Sequence, residues 1–546
     1  MEIARNTLQE REQVLSAAIG RLVAEIEPLH LQHNLAFWQA SVSGDPAAEA
    51  EAARLDTAIR TVFSRRDAYE SLRALAAAGG VADPLLARQL TLLLNAYRGQ
   101  QLEPAVIERM VRLEKRLEGR FNTFRAELDG RRVLDNDLRQ VLIASDDSLA
   151  RRRAWEAAKQ IGVEVATELL DLVRLRNEAA RTLGFSDYYA MRLTLDEQDE
   201  TDLFALLDEL EQGTRPLFAA YKRGLDARLA ARFGVATADL RPWHCADPFF
   251  QEAPALDLDL DRHFAAGPLE ETLVRSFGAV GLEVRGLLAG ADLYERPGKS
   301  QHAFCLCMDR REDIRVLCNL RPTQYWMGTL LHEFGHAVYD LHVDRALPFL
   351  LREPAHILTT EASAMLFGRL PKDAAWLERH AGVPADEARA VAAACARASR
   401  DQLLVQTRWM LVMCHMERAL YRDPGQDLDA LWWDLVERFQ QVRRPEGRHS
   451  PDWASKIHFS TAPVYYHNYM LGEMMASQLR SHLRREVLGD GPDVDARYVS
   501  SPEGGRFLVE RLYRGGRRHD WRETLRLATG RALSAGAFVE ELATVV

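Results

Sequence analysis

The chain reads as a mainly α protein: a large helical body with one small sheet. Three observations carry that reading. Apolar residues recur at helical spacing along most of the 546 residues. The breaks between these stretches are short and built from Gly, Pro, Ser and Asp. Alternating β-type runs are confined to a single window, Ala291 to Leu320. The length exceeds what one compact core usually serves, so two halves are expected.

Taken in order, residues 1–43 and 47–77 carry Leu, Ala, Ile and Val at helical spacing among Glu and Arg, with a break from Ser43 to Pro46. Gly79-Gly80 makes a second break. A charged helix follows through Leu113, Leu117 and Phe121. After Asp146-Asp147 the pattern resumes with Trp155, Ala158, Val163, Leu169 and Leu172, and Gly184 to Tyr189 punctuates it. Between about 240 and 320 the composition changes. Pro242, Pro248, Pro254 and the Leu-Asp alternation at Leu256 to Asp261 make an irregular stretch. Ala303 to Met308 and Ile314 to Cys318 read as strands joined by a charged turn from Asp309 to Asp313. From Met327 the chain returns to helix, with no solenoid repeat and no low-complexity tract.

Composition bounds the function. Hydrophobic content of 47% and charged content of 27% fit an ordinary globular protein. A net charge of −10 with interspersed signs argues against a nucleic-acid surface. The six cysteines lack the density and spacing of a disulfide framework, and Cys305-x-Cys307 has no second pair to complete a metal site, so buried thiols are expected. Met1 to Asn6 do not open a basic and then apolar leader, and no run of about 18 apolar residues occurs. A cytoplasmic location with no membrane partner is the expectation.

The chemistry concentrates at His332-Glu333-Phe334-Gly335-His336. Two histidines at i and i+4 share one face of a helix and can converge on one metal ion. Met327, Leu330, Leu331, Phe334, Ala337, Val338 and Leu341 supply the apolar stripe that buries such a helix. The intervening Glu333 is placed to take a proton from a metal-activated water. Downstream, Glu361 can bring a carboxylate as third ligand. One Zn2+ per chain is therefore expected on His332, His336 and Glu361, with hydrolysis of a peptide bond as the reaction. His342, His356 and His415 read as lone structural histidines, and Glu353 as an ion-pair partner.

These residues and their flanks resemble the angiotensin-converting-enzyme family of peptidyl-dipeptidases and its thimet oligopeptidase and oligoendopeptidase F relatives. The likeness is best from about Asp292 to Gln478. It extends more weakly through Asn177 to Phe185 and through Gly505 to Gly530, while the first 140 residues match only as generic helices. Gln301-His302-Ala303 stands thirty residues before His332, where the family places a substrate-binding His and Ala. Asp313-Ile314-Arg315 also falls in register, and Arg296 to Lys299 resembles the oligoendopeptidase branch. Arg352-Glu353-Pro354 keeps the family spacing to Glu361.

The last block runs Lys456-Ile457-His458, then Pro463 to Tyr469, then Gly472-Glu473. The resemblance implies that His458 and Tyr469 donate hydrogen bonds to the oxyanion. It implies that Lys456, Tyr465 and Tyr466 bind substrate, Lys456 and Tyr466 at a terminal carboxylate. It also implies two helical halves around a deep substrate channel, with the small sheet beside the zinc helix, and zinc-activated water as nucleophile. The expected organisation is one peptidase unit over 1–546: an amino-terminal helical region 1–140, a helical region 141–290 and a zinc catalytic region 291–546. Departures exist. Asn468 replaces an arginine that binds chloride in converting enzymes, so chloride activation is not implied. One residue is inserted between His458 and the tyrosines. Met365 occupies the position of an acidic helper, which leaves open what orients a ligand histidine. Three functional readings follow: cleavage inside short unfolded oligopeptides, release of carboxy-terminal dipeptides, and zinc-free peptide binding on an inactive fold.

Overall fold

The computed structural model describes residues 7–79, 81–254, 259–265 and 267–544. Met1 to Asn6, Gly80 and Leu256 to Leu258 of the sequence reading lie outside the described residues. The chain is 70% helical, as the helical periodicity predicts, and it has two small sheets where the sequence reading expected one. Both sheets are antiparallel pairs: β1 (Ala126–Leu128) with β2 (Arg131–Val133), and β3 (Phe304–Cys307) with β4 (Ile314–Leu317). The chain forms two compact units. One comprises residues 1–101, 257–395 and 471–538; the other comprises 102–256, 396–470 and 539–546.

In the first unit, the helix Leu8–Ser43 starts from a capping box. Thr7 Oγ1 accepts the Glu10 N–H, and the Glu10 carboxylate accepts the Thr7 N–H at 2.7 Å. Gly44, at φ 66°, ends it, and Asp45 caps the next helix, which has Pro46 in its first turn. The expected helix over 47–77 is in fact two, Pro46–Phe63 and Arg66–Ala77. No Gly or Pro announces the break. Val62, Leu72 and Leu75 all enter one core with Leu15, Ile19, Leu22 and Ile26, and a straight rod could not deliver them together.

The sheet β3–β4 pairs Phe304 with Leu317 and Cys307 with Ile314. Its turn is fixed by Asp309, whose carboxylate accepts the N–H groups of Arg311, Glu312 and Asp313. Phe304, Leu306 and Leu317 pack on Trp38 and Val42 of the first helix. The sheet also packs on the helix Gln324–His342, in keeping with the sequence reading. That helix is capped by Thr323 and buries Met327, Leu330, Leu331, Phe334, Ala337 and Val338.

In the second unit, Asp147 caps Ser148–Ala158 by accepting from the Leu149 and Ala150 N–H groups. The helical pattern through Leu172 is interrupted at Lys159, after which Gln160–Thr182 continues. The turn Asp452–Ser455 approaches this second helix closely. A β-carbon on Gly162 would lie 2.4 Å from the Pro451 carbonyl, so only glycine fits there. Among the described residues, no helix is long and apolar enough to cross a membrane. All six cysteines are free thiols.

Candidate metal centre

The helix Gln324–His342 carries His332, Glu333 and His336, and the helix Ile357–Gly368 carries Glu361. Their close packing comes from glycine. A β-carbon on Gly335 would sit 2.7 Å from Ala364 Cα, and one on Gly368 would sit 3.1 Å from His332 Cβ. Ser363 Oγ reinforces the contact by donating to the Gly335 carbonyl at 3.0 Å. The result is convergence. The ligating atoms of His332, His336 and Glu361 lie within 4.8 Å of one another, the one such group among the described residues.

His332 Nε2 and His336 Nε2 are 3.6 and 3.9 Å from Glu361 Oε2. A tetrahedral zinc site with bonds of about 2.0–2.2 Å sets its donor atoms roughly 3.3–3.6 Å apart. The donor set therefore fits that ion with a few tenths of an ångström of adjustment. Protonation agrees with the geometry. Burial lowers His332 to about 4, and burial together with His332 lowers His336 to about 3, so both rings are neutral at pH 7. Burial, then the Glu473 carboxylate, raises Glu361 to about 7. Glu473 is itself ion-paired with Arg369. Two half-buried neutral imidazoles and a half-buried carboxyl group that share a point are what a cation would bind. Glu333 is 7% exposed, and burial followed by Glu361 raises its carboxyl to about 8.

The other residues singled out in this unit make the following contacts. The outer nitrogen of His336, Nδ1, is 2.7 Å from Thr360 Oγ1. Glu353 is an ion-pair partner: burial pushes its carboxyl up, but Arg310 at 3.0 Å and Arg517 at 2.9 Å outweigh that and hold it low. His342 bonds the Val338 carbonyl, and His356 caps the helix of Glu361 by accepting the Leu358 N–H. His302 and Ala303 immediately precede β3, with the His302 N–H on Ser300 Oγ.

Lys456, His458, Tyr465, Tyr466 and Tyr469 belong to the second unit. Lys456 Nζ donates to Gln251 Oε1 at 2.8 Å and lies 5.0 and 5.1 Å from the ring centres of Phe249 and Trp409. Burial lowers it to about 8, although Asp247 and Glu252 oppose the change. The ring of His458 packs 4.8 Å from Tyr466, and burial, then Lys456, lowers it to about 4. Tyr469 packs 5.1 Å from Tyr465 and 5.9 Å from Tyr466. The segment is held from outside. Buried Arg176 donates to the Phe459 and Ser460 carbonyls and to Tyr421 Oη, and pairs with Glu114. Buried Glu417 accepts the Val464 N–H at 2.8 Å, where Val464 has φ 58°. His415, between Phe204 and Phe439, is a core residue.

Sequence reasoning missed Thr360, Gln251, Arg176 and Glu417. Thr360 adjoins the ligand Glu361, which was a usable signal. Arg176 immediately precedes the weak block that begins at Asn177, and Gln251 and Glu417 stand in irregular or generic helical stretches far from any motif.

The structure thus brings together a His, His, Glu cluster that could hold a metal ion, with the buried Glu333 carboxyl beside it in sequence. The family model of peptidase family M3 matches residues 141–279 and 288–544. The chain belongs to peptidase family M3. It is also similar to the angiotensin-converting enzyme of Rattus norvegicus, 23% identical over 460 residues, covering 74% of this chain and 33% of that protein. The enzyme of Mesocricetus auratus is 23% identical over 469 residues, 76% of this chain and 34% of that protein. The chain thus spans about a third of the length of the relatives it matches.

Proposed function

We propose that the protein is a zinc peptidase acting on short unfolded oligopeptides, with one zinc ion held by His332, His336 and Glu361. The observation that carries this reading is the convergence of two neutral imidazoles and a carboxylate beside a buried Glu333. Bound there, zinc supplies Lewis acidity, polarising the scissile carbonyl and making water acidic near neutral pH. Glu333 accepts the proton of the attacking water and returns it to the leaving amine. Its raised proton affinity suits both halves of that transfer. His458, neutral at pH 7, and Tyr469 donate hydrogen bonds to the oxygen on which charge develops. His302 and the Ala303 backbone align the peptide, and Tyr465 and Tyr466 contact it. The roles of His458, Tyr469 and the substrate-binding residues rest on the family resemblance.

Metal analysis tests the centre. The purified protein should carry near one equivalent of zinc, and Glu361→Ala should lower the occupancy. Full retention in that variant would remove Glu361 from the site.

Lys456 favours a second reading, release of carboxy-terminal dipeptides. Its ammonium is buried among aromatic rings with a neutral amide as its hydrogen-bond partner, an arrangement ready for an added carboxylate. A digest of a peptide library with free and amidated carboxyl termini separates the readings. Internal cleavage tolerates amidation. A dipeptide-releasing enzyme would leave Lys456 without its anion, at a cost of about 2–5 kcal/mol. A hundredfold fall with dipeptides as the small products would establish the second reading over the first.

A further inference from the structure

We propose that Thr360 is the positioning residue of the metal centre: its hydroxyl fixes the tautomer and ring orientation of His336. The inference rests on the zinc reading above. A histidine that offers Nε2 to a metal carries its remaining proton on Nδ1, and a partner for that N–H holds the ring in place. His336 Nε2 faces the Glu361 carboxylate at 3.9 Å, so Nδ1 is the outer nitrogen. Thr360 Oγ1 lies 2.7 Å from that Nδ1, within reach to accept a hydrogen bond from its N–H in this tautomer. Thr360 is 9% exposed, which keeps water from competing for the bond.

The neighbouring threonine shows that this orientation is specific. In a helix a threonine hydroxyl ordinarily bonds back to a carbonyl three or four residues earlier. Thr359 does this, donating to the His356 carbonyl at 2.7 Å. Thr360, one residue on in the same first turn, turns its hydroxyl to His336 instead. The position where an acidic partner was sought, Met365, faces Gly472: its Sδ would be 3.7 Å from a β-carbon there. Thr360 thus supplies a neutral oxygen to the ring, and it does so from the residue beside ligand Glu361. One helical turn therefore sets both the third ligand and the orientation of the second.

The experiment measures zinc affinity by competition with a chromophoric chelator, using zinc alone and no peptide. Thr360→Val keeps the shape and removes the acceptor; Thr360→Ser keeps the acceptor; Thr360→Ala is the second deletion variant should valine disturb folding. Thermal unfolding of the metal-free proteins checks that the fold is retained. Loss of an outer partner typically weakens metal binding 10–100-fold. Thr360→Val is expected to fall in that range, and Thr360→Ser to stay within about threefold of wild type on the same scale. The cobalt-substituted valine variant should also show an altered ligand-field spectrum, which a distant packing change would leave alone. Wild-type affinity in both Thr360→Val and Thr360→Ala overturns the inference while leaving the zinc reading intact, as does a serine variant as weak as the valine one. A wild-type protein that takes up no zinc overturns both together.

Discussion

In the helix pair that carries His332, His336 and Glu361, backbone geometry sets the side-chain spacing. The segment from Lys456 to Tyr469 is a short helix, His458–Thr461, and the start of the helix Tyr466–His482, joined by an irregular corner, and buried ionisable groups outside it set its shape. The first region needs an i, i+4 repeat, an apolar stripe and two glycines at the crossing. The second needs Arg176 on two carbonyls, Glu417 on an N–H, and a valine forced to positive φ. A β-branched residue there costs about 1–3 kcal/mol of strain and persists because its surroundings hold it. The difference teaches where each kind of site is vulnerable. The helix pair should be sensitive to volume at the crossing. The segment should be sensitive to ionisation at residues far away in sequence.

The largest expected effect tests the helix pair itself. Glu333→Gln is nearly isosteric and should leave metal content and unfolding temperature unchanged. It cannot accept the proton, so turnover should fall by about 10²–10⁴-fold, the usual contribution of a positioned base. A variant that keeps more than about a tenth of wild-type kcat would be hard to reconcile with that range.

Next come the two donors assigned to the segment. Tyr469→Phe and His458→Ala should each lower kcat by about 10²–10³-fold, or 2.7–4 kcal/mol, with little change in KM. The reverse pattern, a raised KM at constant kcat, would make them ground-state contacts. The comparison would then sharpen: all the chemistry would belong to the helix pair and only binding to the segment.

Gly335→Ala probes the crossing. A β-carbon there meets Ala364 backbone, which cannot swing aside. The expected cost is about 1–3 kcal/mol of stability, with weaker metal retention as the ligand helices part. An alanine variant of wild-type stability would show that the pair tolerates volume, against the distinction drawn above.

The same difference explains what the sequence disclosed. The helical fold, the sheet beside the helix of His332 and the pairing of His332 with His336 were legible because each depends on local periodicity, while the approach of Glu361 follows from the spacing of the motifs. So were the breaks at Ser43 to Pro46 and at Asp146-Asp147, where the structure shows Asp45 and Asp147 capping the helices that follow. The break at Ser64–Arg65 was hidden, because no turn residue marks it and only the shared core requires it. Gln251, Arg176 and Glu417 were hidden for a related reason. Each acts on Lys456 to Val464 from more than forty residues away, and their own surroundings read as plain helix or loop. Thr360 lay in view beside Glu361, but its orientation depends on rotamer choice, which spacing does not encode.

The most gradual effect concerns Glu417, spread over several pH units, and it isolates the second region without touching His332, His336 or Glu361. Burial raises its carboxyl to about 8, while the Val464 N–H and Arg176 pull the other way. The ordinary glutamate value is 4.5. A group raised on folding binds a proton in the native state that the unfolded chain has released. Its contribution to stability is therefore fully present below about pH 4.5 and is lost as pH rises through about 8. Within that window the slope can reach about 1.4 kcal/mol per pH unit for one proton. Glu417→Gln keeps an oxygen for the Val464 N–H, so the corner at Val464 should survive, but it has nothing to titrate. Unfolding temperatures of the two proteins should therefore diverge as pH rises from 5 to 8, the variant losing less, by a few degrees for a unit of this size. Parallel curves would mean that Glu417 stays ionised throughout. The segment would then be held in part by the attraction between ionised Glu417 and Arg176, and both residues would have to be replaced together before its dependence on charge disappeared.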